Sequence, residues 1–106
     1  MECTALELKQ KLSDGEDFLL LDVRTLEEHA LARVEPSLLV PLHELAERLE
    51  ELEAWRDREV ICLCHHGIRS AQACMYLTSR GFSRVRNLNG GIDAYAAEAD
   101  PGMHRY

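Results

Sequence analysis

Two short, unbroken apolar runs limit what this chain can fold into more than any other feature. Phe18-Leu19-Leu20-Leu21 stops at Asp22, and Val60-Ile61-Cys62-Leu63 leads straight into Cys64. Runs this brief, with no polar alternation, suit strands buried on both faces, as in a parallel sheet. Helical patterns lie between them. Leu6, Leu8 and Leu12 mark a first helix ending near Ser13-Asp14-Gly15. Thr25 is an N-cap for a short helix, with Glu28 as its capping-box partner. Leu38-Leu39-Val40 reads as a strand stopped by Pro41.

From Leu42, the apolar positions Leu45, Leu49, Leu52 and Trp55 predict an amphipathic helix. The acidic residues from Glu44 to Glu53 form its solvated face. Ser70 to Ser79 reads as a helix with Ala71, Cys74 and Thr78 on one face and Gly81 as its stop. Val85 marks a further strand. Gly90-Gly91 opens a last helix through Ile92, Tyr95 and Ala96, ended by Pro101-Gly102. Strands alternating with helices imply an α/β fold whose parallel sheet is covered on both faces. Ligands in such folds bind beyond the carboxyl ends of the strands, which is where Cys64 falls.

The 106 residues are expected to form one domain, 1–106. A net charge of −7 argues against nucleic acid and against anionic membrane surfaces as partners. No apolar run approaches the roughly 20 residues that span a bilayer. Met1-Glu2-Cys3-Thr4 lacks the pattern of a signal peptide, so a cytoplasmic location is expected. Cys3, Cys62, Cys64 and Cys74 then read as free thiols, with Cys62 and Cys74 in the core and Cys3 carrying no signal.

Cys64-His65-His66-Gly67-Ile68-Arg69-Ser70 carries the chemistry. A thiol at the end of a buried strand enters a tight turn whose N–H groups can point inward. A free cysteine has a pKa near ~8.5. Inward N–H groups, the positive end of the following helix and the Arg69 charge all favour the thiolate. Gly67 permits the backbone angles of a loop curled round one sulfur. Four residues separate Cys64 from Arg69. A ring with one more residue has room for a tetrahedral phosphate. This smaller ring better suits a single sulfur atom carried on the cysteine, so it points to sulfur transfer.

The loop resembles the active-site loop of single-domain rhodaneses, the thiosulfate:cyanide sulfurtransferase family. Leu20-Leu21-Asp22-Val23-Arg24 is similar to that family's Asp-Val-Arg strand end, and Glu27-Glu28-His29 fits its acidic short helix. Pro41-Leu42 matches its approach to the loop. Asn87-Leu88-Asn89-Gly90-Gly91-Ile92 with Tyr95 resembles its closing segment. The resemblance implies a rhodanese-like, five-stranded parallel α/β sheet with the sulfur carrier at Cys64. It also implies a substrate pocket lined by His65, His66, Gly67, Ile68 and Arg69, supported by Asp22, Arg24 and Ser70. Val34-Glu35-Pro36-Ser37 departs from the family's usual Ile-Pro-Gly-Ala turn. His65 and His66 stand where thiosulfate-specialised relatives often carry Arg and Lys.

The expected reaction moves a sulfane sulfur from thiosulfate or a persulfide to cyanide or a thiol, including a protein thiol. Two other classes stand beside it, the first left open by the intact Cys64 and the second disfavoured by the short loop. One is a non-enzymatic persulfide carrier or partner-docking module; the other is a thiol phosphatase or arsenate reductase. Cys62, Cys64, His65 and His66 form one compact cluster without the second ligand pair usual for zinc, so neither metal nor cofactor is expected. His29 and His43 read as surface residues, and Trp55 and Tyr95 as packing residues.

Overall fold

The computed structural model describes residues 1–106. Five strands, β1 (Glu2–Cys3), β2 (Leu19–Asp22), β3 (Leu38–Leu39), β4 (Glu59–Leu63) and β5 (Arg84–Leu88), form one sheet in the order β1-β5-β4-β2-β3. Every neighbouring pair is parallel. The helices are α1 (Ala5–Ser13), α2 (Leu26–Leu31), α3 (Ile68–Ser79) and α4 (Gly91–Glu98). None is long and apolar enough to cross a membrane.

The unbroken apolar runs are explained by the two faces of this sheet. Side chains alternate along a strand, so each run divides its residues between two cores. Leu19 and Leu21 join Val60, Cys62, Ala73 and Leu77 on one face. Leu20 joins Ile61, Leu63, Leu88, Ile92 and Tyr95 on the other. Every residue of β2 and β4 is buried. Each fully buried Leu or Ile contributes roughly 1.5–3 kcal/mol relative to exposure.

The helix starts follow from their capping residues. Thr4 and Thr25 each accept from the backbone N–H three positions on, and Glu7 and Glu28 return the bond, so both N-termini carry a complete capping box. The second of these is the one predicted from Thr25 and Glu28.

Three expectations are corrected. The amphipathic helix from Leu42 is two 3-10 segments, Leu42–Glu44 and Leu49–Trp55. The apolar spacing gives the reason. Leu42 to Leu45, and Leu49 to Leu52 to Trp55, advance by three, the period that lines up side chains on a 3-10 helix. The single step of four, Leu45 to Leu49, falls between the two segments. Leu45 and Leu52 are buried all the same. On α3 the buried face is Ser70, Ala73 and Leu77, with Thr78 exposed. Ala73 and Leu77 pack into the sheet core and Ser70 is drawn to Cys64, a face one residue, about 100°, round the helix from Ala71 and Thr78; Cys74 is half-buried at its edge. Finally, Cys3 belongs to β1, pairs with Leu88 and is fully buried. A two-residue edge strand is too short to show in an apolar pattern.

This topology collects the sequence motifs at the carboxyl ends of the three inner strands. Asp22 ends β2 opposite Leu63 of β4, and Asn87 of β5 lies opposite Cys62. Cys64 follows β4 directly, one strand from each.

Candidate active site

The turn from Cys64 to Gly67 joins β4 to α3, with Ile68 and Arg69 already in the helix's first turn, and its shape is fixed from outside by α4. Ile92 N–H donates to Cys64 O at 2.9 Å, and Asp93 N–H donates to His65 O at 3.1 Å. These two carbonyls therefore face the start of α4, which leaves the loop's N–H groups free to face inward. The approach is so close that a Cβ on Gly91 would collide with the His65 and Cys64 carbonyls. Gly67, with φ +107°, supplies the left-handed turn that starts α3.

Inside this loop, Cys64 Sγ accepts from Gly67 N–H at 3.0 Å and lies 3.3 Å from Ser70 Oγ. Burial raises the thiol's cost of ionising. The Ser70 hydroxyl and the N–H groups of Ser70, Gly67 and His66 outweigh that cost and hold it below the ordinary cysteine value. Cys64 is only 1% exposed, so any reaction at its sulfur is confined to the loop mouth. Cys62 makes the contrast. The Cys74 thiol beside it and complete burial push it well above the ordinary range, which suits a core residue.

Asn87, which the sequence motif only brushed, is part of the cradle. Its Nδ2 donates to Gly67 O at 3.1 Å, and its Oδ1 lies 2.5 Å from Ser70 Oγ. It thereby ties β5 to the turn and to the hydroxyl beside the sulfur. Only 7% of Asn87 is exposed, and these two bonds satisfy the buried amide; nothing in the sequence marks it as buried.

Arg69, the second residue of α3, interacts electrostatically with Cys64. Its guanidinium, however, forks onto Glu28, at 2.6 Å to Oε1 and 2.8 Å to Oε2. That pairing holds the Glu28 carboxyl far below the usual carboxylate range. Glu28 therefore does two things: it caps α2 and anchors the far end of the loop.

Asp22 and Arg24 form a fully buried bidentate pair, Nε to Oδ1 at 2.9 Å and Nη2 to Oδ2 at 2.7 Å. Arg24 also donates to Ala32 O at 2.7 Å and to the Tyr106 hydroxyl at 2.9 Å. The pair does not touch Arg69; Tyr106 bridges the gap by donating to Glu28 Oε2 at 2.9 Å. His29, expected at the surface, is half-buried with Nδ1 2.8 Å from Asp22 Oδ2. His43 is exposed, as expected.

His65 and His66 stack on one another, with ring centroids 3.9 Å apart, and His65 stacks on Tyr106 at 4.0 Å. Nothing in the sequence singled out Tyr106, because its partners are set entirely by tertiary structure. Ile68 projects at the loop with 74% of its surface exposed. Ligand atoms of His65, His66 and Asp93 lie within 4.8 Å of one another. Asp93 Oδ1 is already engaged by Arg105 at 3.0 Å, and His66 is 4.0 Å from Oδ2, so the group is a loose polar cluster.

A parallel α/β sheet that presents one thiol beside a backbone N–H and a hydroxyl, at the carboxyl end of its central strand, defines a recognisable class of α/β domains. Within that class the chain belongs to the rhodanese-like domain family, whose model matches residues 4–98. It is 42% identical over 100 residues to a sulfurtransferase of Allochromatium vinosum, covering 94% of this chain and 92% of that one. It is 34% identical to the adenylyltransferase and sulfurtransferase MOCS3-2 of Zea mays, covering 97% of this chain and spanning only 22% of that longer relative. Among solved structures, a rhodanese-related protein of Thermoplasma volcanium superposes with a TM-score of 0.83 at 28% identity, covering 99% of this chain and 98% of that one. These relatives support a role in sulfur transfer.

Proposed function

We propose that residues 1–106 act as one rhodanese-type sulfurtransferase unit in the cytoplasm, carrying a sulfane sulfur as a persulfide on Cys64. The observation that carries this reading is the set of donors converging on Cys64 Sγ in a loop closed after four intervening residues.

In the first half-reaction, the Cys64 thiolate attacks the outer sulfur of thiosulfate or of a persulfide donor. A new S–S bond forms on Cys64. The donor's S–S bond breaks, and sulfite or a thiolate leaves with the electron pair. The loop then holds the terminal sulfur anion as it held the thiolate. In the second half-reaction, cyanide or an acceptor thiolate attacks that terminal sulfur, takes it away and returns the Cys64 thiolate. No oxidant, metal or cofactor enters the balance.

The residues take the following roles. Gly67, Ser70 and the N–H of His66 stabilise the anionic sulfur in both forms. His65, His66 and Ile68 form the mouth that donor and acceptor must pass. Arg69 closes the ring and is held by Glu28. Asp22 and Arg24 support that anchor from the neighbouring strand. The test is thiocyanate release from thiosulfate or glutathione persulfide plus cyanide. The wild-type chain turns over, and Cys64→Ser, still folded, does not. Undiminished turnover by Cys64→Ser would sink the proposal.

A further inference from the structure

We infer that Tyr106 is a positioning residue for the Cys64 loop, holding its arginine end and its histidine side at once. The inference rests on the sulfur-transfer reading of Cys64.

The geometry is two-handed. The Tyr106 hydroxyl accepts from Arg24 Nη1 at 2.9 Å and donates to Glu28 Oε2 at 2.9 Å. Glu28 in turn grips Arg69. One phenol thus connects a buried ion pair in β2's strand end to the residue that closes the loop. Arg24 is fully buried, and the other acceptor of its Nη1, Glu28 O, is distant at 3.3 Å. Without the phenol that nitrogen would keep only its weaker partner. Glu28 would also lose one of the donors that orient its carboxylate under Arg69.

The ring of the same residue works on the other side. It lies 4.0 Å from the His65 ring at an interplanar angle of 17°, and His65 stacks at 3.9 Å on His66. The three rings form one continuous stack along the residues that follow Cys64. His65 O is held by α4 and its side chain by Tyr106, so the residue is fixed at both backbone and ring. That fixes the turn leading round to Gly67, whose N–H donates to the sulfur at 3.0 Å. Tyr106's own partners are Arg24, Glu28 and His65, so it acts on the loop through Glu28 and His65.

Two variants separate its two hands. Tyr106→Phe keeps the stack and removes the hydroxyl. Tyr106→Leu removes both. The readouts are kcat/KM for sulfur transfer from thiosulfate or glutathione persulfide to cyanide, and the pH dependence of iodoacetamide alkylation followed at the Cys64 peptide. Alkylation needs no sulfur donor, so it reports on Tyr106 even if sulfur transfer itself fails to appear. For Tyr106→Phe the expected result is about a fivefold fall in kcat/KM with the alkylation profile close to wild type. For Tyr106→Leu it is a fall of tenfold or more, with the alkylation midpoint moved upward as the loop donors lose alignment. Wild-type kcat/KM and a wild-type alkylation profile in both variants overturn the inference. So does a lowered Tm with both readouts unchanged, which would make Tyr106 a packing residue only. If Tyr106→Leu does not fold, Tyr106→Phe decides through kcat/KM.

Discussion

Ser70 Oγ stands 3.3 Å from Cys64 Sγ and is the one side-chain hydroxyl in the sulfur's cradle. It has a single proton and two neighbours that can take it, because Asn87 Oδ1 lies 2.5 Å away. With Asn87 Nδ2 committed to Gly67 O, the amide oxygen is the side that faces Ser70. In the thiol form, the serine proton can rest on Asn87 while Sγ–H points at Oγ. In the thiolate form, turning the hydroxyl toward sulfur gives a charge-assisted bond. The pair therefore favours ionisation of Cys64 without adding a charge. Ser70→Ala removes this bond, and the midpoint of Cys64 alkylation against pH moves upward. Sulfur loading at pH 7 falls about tenfold, the kinetic equivalent of ~1.4 kcal/mol. An unchanged alkylation profile would show that the backbone donors alone set the thiol.

Glu28 links loop anchoring to pH. Its folded-state pKa is depressed, first by Arg69, so its stabilisation is fully present above the unfolded carboxylate value of about 4.3 and is lost as pH falls through the folded value. Glu28→Gln should therefore cost about 1.5–3 kcal/mol near pH 6, the range for a hydrogen bond to a charged group. The gap between variant and wild type should then narrow as pH drops below about 4. Urea unfolding at a series of pH values checks this. A gap that stays constant or widens toward acid contradicts the assigned pairing.

Arg24 tests the buried support. Arg24→Met leaves Asp22 fully buried with only His29 and backbone contacts, an uncompensated charge that costs about 3–5 kcal/mol. Against a typical total of about 5–15 kcal/mol, that is a large share. Pairing it with Asp22→Asn should recover part of the loss, since the orphaned charge is gone. Chemical denaturation of the two single variants and the double variant measures the coupling. Additive effects would mean that the two side chains do not act as a pair.

The sheet and the turn after Cys64 were both legible in the sequence, for a shared reason: each depends on residues close together in the chain. Short apolar runs mark doubly buried strands. The Cys64 loop is one contiguous segment, and Thr25 and Glu28 cap a helix over three residues. The 3-10 segments are hidden in a pattern that mixes apolar steps of three and four, although the steps of three coincide with the tighter helix. The β1 strand offered two residues and no pattern. The structure's main additions at the site are long-range. Asn87 meets the cradle because β5 lies beside β4, and Glu28 meets Arg69 across the mouth of the fold. Tyr106 reaches Arg24 and His65 from far along the chain. Local pattern cannot encode contacts that only the closed topology creates.

The most direct measurement is intact-protein mass spectrometry after brief exposure to thiosulfate or glutathione persulfide, with excess donor removed. The account predicts a gain of about 32 Da, one sulfur atom, reversed by cyanide or a reducing thiol. The gain should map to the Cys64 peptide and be missing in Cys64→Ser. A wild-type chain that gains no sulfur from either donor, or a Cys64→Ser variant that gains it equally, contradicts a persulfide carried on Cys64.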